Sequence, residues 1–274
     1  MDAKTLYLDL MKRSLTNMIY SDREYRSYKP WGKLNNYLVK DFFEKKFLVP
    51  RGAAIVTRYE FDEKVRSAGR DHSPFAHTMI GLKRLDNVQA CVETVIKEKI
   101  PGDLIETGVW RGGSCIFMRA ILQVHGVTDR TVWVADSFEG LPRPDEDKYP
   151  QDKGDTYFMR PELAVSLETV KSNFEKYGLL DDQVKFLKGW FKDSLPGAPI
   201  QKLAVLRLDG DMYESTMDAI TNLYDKLSPG GFLIVDDYSV IDSCKTAITD
   251  FRTQKGITEE IIPIDGDGVF WRKK

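Results

Sequence analysis

The sequence predicts an α/β protein built on a mostly parallel, doubly wound sheet, and three observations predict it. From residue 103 onward, apolar runs of strand length alternate with segments of helical length. Two of those runs end in acids, at Asp209 and Asp211 and at Asp236 and Asp237, with a helix-length segment between them. A Gly-rich turn, Gly108 to Gly113, follows the first run where a helix begins. Parallel strands joined by a crossover helix end on the same edge of a sheet, which is where α/β folds bind ligands.

The elements follow in order. Leu6, Leu10, Leu15, Met18 and Ile19 space an amphipathic N-terminal helix. Residues 85–100 read as a second helix, stopped by Pro101-Gly102. Strands are expected over 103–109, 131–136, 184–188, 203–209 and 232–236, with helices over 114–124, 162–177, 214–227 and 242–254. The tail, 259–264, then Asp265-Gly-Asp-Gly268, then 269–272, reads as a closing β-hairpin, one strand of which runs against the rest. Residues 1–100 are expected as a helical extension packed on a core of residues 101–274, not as a separately folding domain. Their aromatics, among them Tyr20, Tyr25, Tyr28, Trp31, Tyr37, Phe42, Phe43 and Phe47, read either as packing against the sheet or as a lid over its ligand edge.

Composition narrows the function. A formal net charge of −2 over 274 residues, with scattered Lys and Arg, gives no basic footprint for nucleic acid. No apolar run approaches the roughly 20 residues needed to cross a bilayer, and the N-terminus lacks a signal-peptide core. Three cysteines, Cys91, Cys115 and Cys244, without CxxC spacing, argue against a zinc site or a disulfide framework and fit a reducing cytoplasm.

The chemistry sits on the strand ends. Up to four carboxylates, Asp209, Asp211, Asp236 and Asp237, meet at one rim, where uncompensated like charges repel. A hard cation such as Mg²⁺ would relieve that repulsion through oxygen ligands. The turn after the first strand is not the GxGxxG of a dinucleotide site, and Glu106 two residues before Gly108 disfavours pyrophosphate while attracting an ammonium group. Asp136 at the end of the second strand suits a ribose diol. An ammonium-bearing ribonucleoside fits both, and S-adenosylmethionine is the candidate. Candidate cofactor contacts are Glu106, Thr107, Gly108 and Ser114 on the first turn and Asp136 and Ser137 on the second. Gly189 and Trp190 on the third, and Asp209, complete the set. Plainer readings stand beside these: Glu106 as an edge carboxylate paired with Arg111, Asp136 as a turn cap, Trp190 as core.

Five motifs, Asp103-Leu-Ile-Glu-Thr-Gly-Val-Trp-Arg-Gly-Gly-Ser114, Ala135-Asp-Ser-Phe-Glu-Gly-Leu-Pro142, Lys188-Gly-Trp-Phe191, Leu208-Asp-Gly-Asp-Met-Tyr-Glu-Ser215 and Val235-Asp-Asp-Tyr238, closely resemble the macrocin O-methyltransferase family. With Thr78-Met-Ile-Gly-Leu-Lys-Arg84 the resemblance covers nearly the whole chain. It implies a Rossmann-like class I methyltransferase fold, with a seven-stranded sheet, a reversed C-terminal hairpin and an N-terminal helical lid. It also implies methyl transfer from S-adenosylmethionine, with Mg²⁺, to a sugar hydroxyl of a glycosylated natural product. In such enzymes Asp209, Asp236 and Asp237 would hold the metal, and Asp211 is a candidate general base. Substrate contacts are expected to vary over residues 22–70 and 143–157.

Against the base role, Asp211-Met-Tyr-Glu214 also has the form of a capping box, in which Asp211 would cap the next helix. Asp237 has a comparable reading as a turn cap before Ser239. His72 and His77 are alternative bases only if their loop folds over the site, and His125 sits at a helix end. The competing functions are a metal-dependent methyltransferase of a catechol or other small phenol, a non-catalytic S-adenosylmethionine-binding module, and, more remotely, an NAD-dependent oxidoreductase. A homo-oligomer is compatible with the sequence but not indicated by it.

Overall fold

The computed structural model describes residues 2–20, 24–28, 34–71 and 73–274. Trp31 and His72 lie outside the described residues. The elements are α1 (Ala3–Leu15), β1 (Tyr25–Ser27), α2 (Leu34–Phe43), β2 (Val56–Arg58), α3 (Glu63–Ser67), α4 (Leu82–Lys97), β3 (Asp103–Thr107), α5 (Gly113–Val124) and β4 (Val132–Asp136). Next come α6 (Leu167–Lys176), β5 (Val184–Lys188), α7 (Phe191–Ser194), β6 (Leu203–Leu208), α8 (Tyr213–Leu223), β7 (Leu227–Val235), α9 (Asp242–Lys255), β8 (Ile262–Pro263) and β9 (Val269–Arg272).

The main sheet has seven strands in the order β5-β4-β3-β6-β7-β9-β8. β3 to β7 pair in parallel, and β9 is antiparallel to both β7 and β8. This is the expected closing hairpin, although β8 has shrunk to Ile262-Pro263. The outer strands are β5, which exposes Lys185 and Lys188, and β8.

Each face of the sheet is covered by helices, as continuous apolar strands require. On one face Leu104, Val134 and Val205 pack with Leu85 and Val92 of α4, Ile116 and Phe117 of α5, and Phe174 of α6. Leu8, Met11 and Leu15 of α1 belong to the same cluster, so the N-terminal helix is part of this layer. On the other face Leu206 and Leu233 pack with Ile220 and Leu223 of α8 and Ile248 and Phe251 of α9.

The ends of elements differ from the sequence expectation for local reasons. α6 begins at Leu167 and not at 162, because Ser166 accepts from Thr169 N while Pro161–Leu163 forms a separate 3₁₀ turn. β7 begins at Leu227 because Ser228-Pro-Gly-Gly231, which reads as a turn, is carried into the strand beside Leu203 with a register shift. A small antiparallel pair, β1 with β2, was not anticipated; it is organised around a buried ion cluster. Arg66 donates to both Glu24 and Asp71, and Arg26 bonds the same two acids.

Candidate active site

The C-terminal ends of β3, β4, β5 and β6 open into a cleft. Its wall contains Gly108 and Trp110 after β3, Asp136 and Ser137 after β4, Gly189 and Trp190 after β5, and Asp209 and Asp211 after β6. Gly108 adopts φ +86°, and a Cβ there would lie 1.7 Å from the carbonyl oxygen of Asp209, so only glycine allows these two strand ends to meet.

Asp209, Asp236 and Asp237 each offer a carboxylate oxygen within 4.8 Å of the others. The rim is not uncompensated, however. Arg207, fully buried in β6, bonds Glu106, Asp209 (2.7 Å) and Asp236. Arg84, at the start of α4, bonds Asp236 from the other side and reaches Asp265 (3.2 Å) and Asp267 (3.4 Å) in the closing hairpin turn. Two guanidinium groups therefore hold Asp236 by both oxygens. The expected repulsion at this rim is therefore smaller than the four acids alone would give, because part of the charge is met by the protein itself.

What the arginines leave unmet is Asp237. Its Oδ2 is buried and has no hydrogen-bond partner. Burial, then the neighbouring Asp211 and Asp209 charges, push its carboxyl well above the usual range. No backbone amide caps onto this carboxylate among the described residues; Ser239 N donates instead to Asp267 O at 2.9 Å. A buried carboxylate oxygen without a donor, beside two further acids, fits an oxygen-ligated divalent cation.

Asp211 lines the cleft in a left-handed conformation, φ +58°. Burial, with Asp209 and Asp236 adding repulsion, pushes its carboxyl up to about 8. It does not cap α8: the N-cap position is Met212, and the amides of Tyr213 and Glu214 donate to Asp152 at 2.6 and 3.0 Å.

The remaining candidates divide. Gly108, Asp136, Ser137, Gly189, Trp190 and Asp209 line the cleft, whereas Glu106, Thr107 and Ser114 lie behind its wall. Glu106 is occupied by Arg207 and by the Cys115 thiol, which donates at 2.9 Å, and burial pushes its carboxyl up to about 7. Its expected alternative partner, Arg111, bonds the carbonyls of Pro74 and Ala76 at 2.6 and 2.8 Å. Asp136 both faces the cleft and accepts from Val109 N (2.7 Å) and Phe138 N (2.8 Å), so the cap and the binding position coexist. His77 is held behind the wall by Tyr177 Oη at 2.7 Å, where burial pushes it down to about 4. His125 meets Glu93 at the end of α5. From the first hundred residues, only Met79 reaches the cleft among those described.

Several wall residues were given no site role from the sequence: Leu163, Lys192, Asp218 and Glu214, the last named only in motifs. Burial and Glu214 push the Asp218 carboxyl up to about 6. The Ser-Phe-Glu-Gly-Leu-Pro142 motif was the signal available for Gly140, Leu141 and Pro142, which also line the cleft.

Comparison with known proteins agrees with this geometry. The family model described as Macrocin-O-methyltransferase (TylF) matches residues 4–273. The chain is 54% identical over 272 residues to the 8-demethyl-8-(2,3-dimethoxy-alpha-L-rhamnosyl)-tetracenomycin-C 4'-O-methyltransferase of Streptomyces olivaceus, covering 99% of this chain and 94% of that protein. It is 48% identical over 271 residues to the mycinamicin III 3''-O-methyltransferase of Micromonospora griseorubida, covering 98% and 96%. Among solved structures, that of the O-methyltransferase NovP superposes with a TM-score of 0.84 at 49% identity, covering 99% of each chain. The fold is that of class I methyltransferases, and the binding-module and oxidoreductase readings fall away. This chain belongs to the macrocin O-methyltransferase family and is a methyltransferase.

Proposed function

We propose that the enzyme transfers the methyl group of S-adenosylmethionine to a sugar hydroxyl of a glycosylated natural product, with Mg²⁺ at Asp209, Asp236 and Asp237 and with Asp211 as proton acceptor. The observation that carries the reading is the set of three converging carboxylates, of which Asp209 lines the cleft and Asp236 and Asp237 lie buried behind it, with Asp211 also in the wall and not engaged as the cap of α8. The relatives support the acceptor class, since the Streptomyces olivaceus enzyme is named for a rhamnosyl-bearing tetracenomycin and the Micromonospora griseorubida enzyme for mycinamicin III.

In this reading the cleft divides its labour. Asp136 offers its carboxylate to the ribose hydroxyls, and Gly189 and Trp190 border the base. Gly108 lets the turn after β3 close against the Asp209 backbone, and Asp209, in the cleft wall, also offers negative charge to the ammonium. S-adenosylmethionine, when bound, supplies an electrophilic methyl on sulfur, and Mg²⁺ supplies positive charge against the acceptor oxygen as its proton leaves. Asp211 takes that proton; without a metal its carboxyl is pushed up to about 8 by burial and by the Asp209 and Asp236 charges, and Mg²⁺ on those acids would bring it down toward the range of a base at physiological pH. Arg207 and Arg84 fix Asp209 and Asp236, so the acids need no reorganisation on binding.

The test is calorimetric titration of S-adenosylmethionine and, separately, of Mg²⁺ into wild type and Asp236→Ala/Asp237→Ala, with methyl transfer measured for Asp211→Asn. Retained cofactor binding with lost Mg²⁺ binding in the double variant, and transfer reduced at least about 100-fold in Asp211→Asn, is expected. Undiminished transfer by Asp211→Asn would remove the base assignment.

A further inference from the structure

The sequence and the structure disagree about one helix cap, and the disagreement assigns a role. Asp211-Met-Tyr-Glu214 has the local pattern in which an acid caps its own helix. In the structure the N-terminal amides of α8 are taken by an acid some sixty residues earlier. Asp152 accepts from Tyr213 N at 2.6 Å through Oδ1 and from Glu214 N at 3.0 Å through Oδ2. Asp152 is 2% exposed and sits on the 3₁₀ turn Pro150–Asp152, within the long connection from β4 to α6. Tyr149 on the same turn packs its ring 6.0 Å from that of Tyr213.

With those amides occupied, the carboxylate of Asp211 accepts no hydrogen bond from the described residues, and its backbone is held at φ +58°. That conformation costs a non-glycine residue on the order of 1 kcal/mol, although Asp tolerates it better than most. The free alternative, rotation to cap α8, would relieve the strain and satisfy two amides. Something must keep it closed.

We propose that Asp152 is a positioning residue of the methyl-transfer reaction: by capping α8 from a different segment, it excludes Asp211 from the helix terminus and keeps its carboxylate turned into the cleft. The inference rests on the reading of Asp211 as proton acceptor. It also gives the connection from β4 to α6 a task. That connection supplies the cleft with Gly140, Leu141, Pro142 and Leu163, so the segment that shapes one wall also sets the attitude of the base. An acceptor-dependent shift of the turn at Pro150–Asp152 would thereby be felt at Asp211.

The test is crystallographic. Structures of wild type, Asp152→Ala and Asp152→Asn are compared at two readouts: φ of Asp211, and the distance from its carboxylate to Tyr213 N and Glu214 N. In Asp152→Ala, Asp211 is expected to leave the left-handed region and its carboxylate to come within hydrogen-bond distance of one of those amides. Asp152→Asn, which keeps the side-chain volume and one acceptor oxygen, is expected to leave Asp211 in place. A loss of local packing alone would not send Asp211 to the cap. An Asp211 unmoved in Asp152→Ala, with the amides on water or another group, overturns the proposal. Should Asp152→Ala not fold, hydrogen exchange in Asp152→Asn decides. Exchange at Tyr213 and Glu214 is expected to speed on the order of tenfold for the loss of one charge-assisted bond, and unchanged exchange overturns the proposal. Neither readout depends on turnover, so failure of the base assignment, seen in Asp211→Asn, is distinguishable from failure of this one.

Discussion

Arg207, in β6, and Asp236, directly after the neighbouring parallel strand β7, form a buried pair: the guanidinium of the one donates to the carboxylate of the other behind the cleft wall. The same guanidinium bonds Glu106 and Asp209, so a single buried cation joins three acids from three elements. It holds them as a cluster independently of anything that binds.

Replacing Arg207 therefore strands buried charge. Arg207→Met is expected to lower the unfolding free energy by about 3–5 kcal/mol in the presence of chelator. Added Mg²⁺ is expected to recover part of the loss. Urea unfolding with and without Mg²⁺ measures both, and a loss below about 1 kcal/mol would mean the acids are not held as described.

Asp237 predicts two effects of opposite sign. Asp237→Asn removes a buried carboxylate whose Oδ2 has no donor, so the metal-free protein becomes more stable above neutral pH. The same change weakens Mg²⁺ binding by at least about tenfold. Thermal melts in chelator and Mg²⁺ calorimetry report the two separately; unaltered Mg²⁺ affinity would take Asp237 out of the ligand set.

The raised acids link stability to pH. Asp211 titrates at about 8 in the folded metal-free protein, against roughly 4 for an unfolded Asp. The folded state thus holds a proton that the unfolded state has lost, and stability falls as pH rises between those values. In chelator, the melting temperature is expected to fall as pH rises from about 4 to about 8, with a smaller fall in Asp211→Asn. Mg²⁺ is expected to stabilise more at the upper pH than at the lower. His77 acts in the other direction over the lower part of this window. Buried neutral at about 4, it removes stability as pH falls below the unfolded His value of roughly 6.5.

Gly108→Ala places a methyl group against the Asp209 carbonyl at a positive φ. It is expected to cost at least about 2 kcal/mol and to weaken S-adenosylmethionine binding. Gly197→Ala, where a Cβ meets nothing within 4 Å, is the control and should stay within about 0.5 kcal/mol of wild type. Equal melting temperatures for the two variants would contradict the close approach.

Much of this was legible beforehand. The strands from 103 to 235 are apolar runs, most with an acid at or just past the end, and that they end on one edge follows from parallel pairing alone. That Asp209, Asp211, Asp236 and Asp237 come together was readable for the same reason, whereas the choice of Asp209, Asp236 and Asp237 as the converging three came from the family resemblance. What was not readable depends on distant partners. Arg207 stands two residues before Asp209, yet nothing local says that it reaches Glu106 and Asp236. Arg84 meets the hairpin turn across some 180 residues of chain, and Asp152 meets α8 across some 60. Local pattern gave the wrong cap for α8 because Asp211 has the right spacing and lost the competition to a residue elsewhere. The N-terminal β1–β2 pair was missed because it has three residues a side and is held by Arg66, Glu24 and Asp71, not by an apolar face.

The outer strands of the sheet bear on how the enzyme behaves in a crowded solution. At one margin β8 offers two residues, the second of them Pro263, which has no N–H to donate. At the other, β5 carries exposed Lys185 and Lys188. A strand arriving from another molecule would find too short a ladder on one side and would have to desolvate ammonium groups on the other. Both margins of the seven-stranded sheet thus discourage an eighth strand, and concentrated preparations should resist edge-to-edge growth as long as the fold is intact.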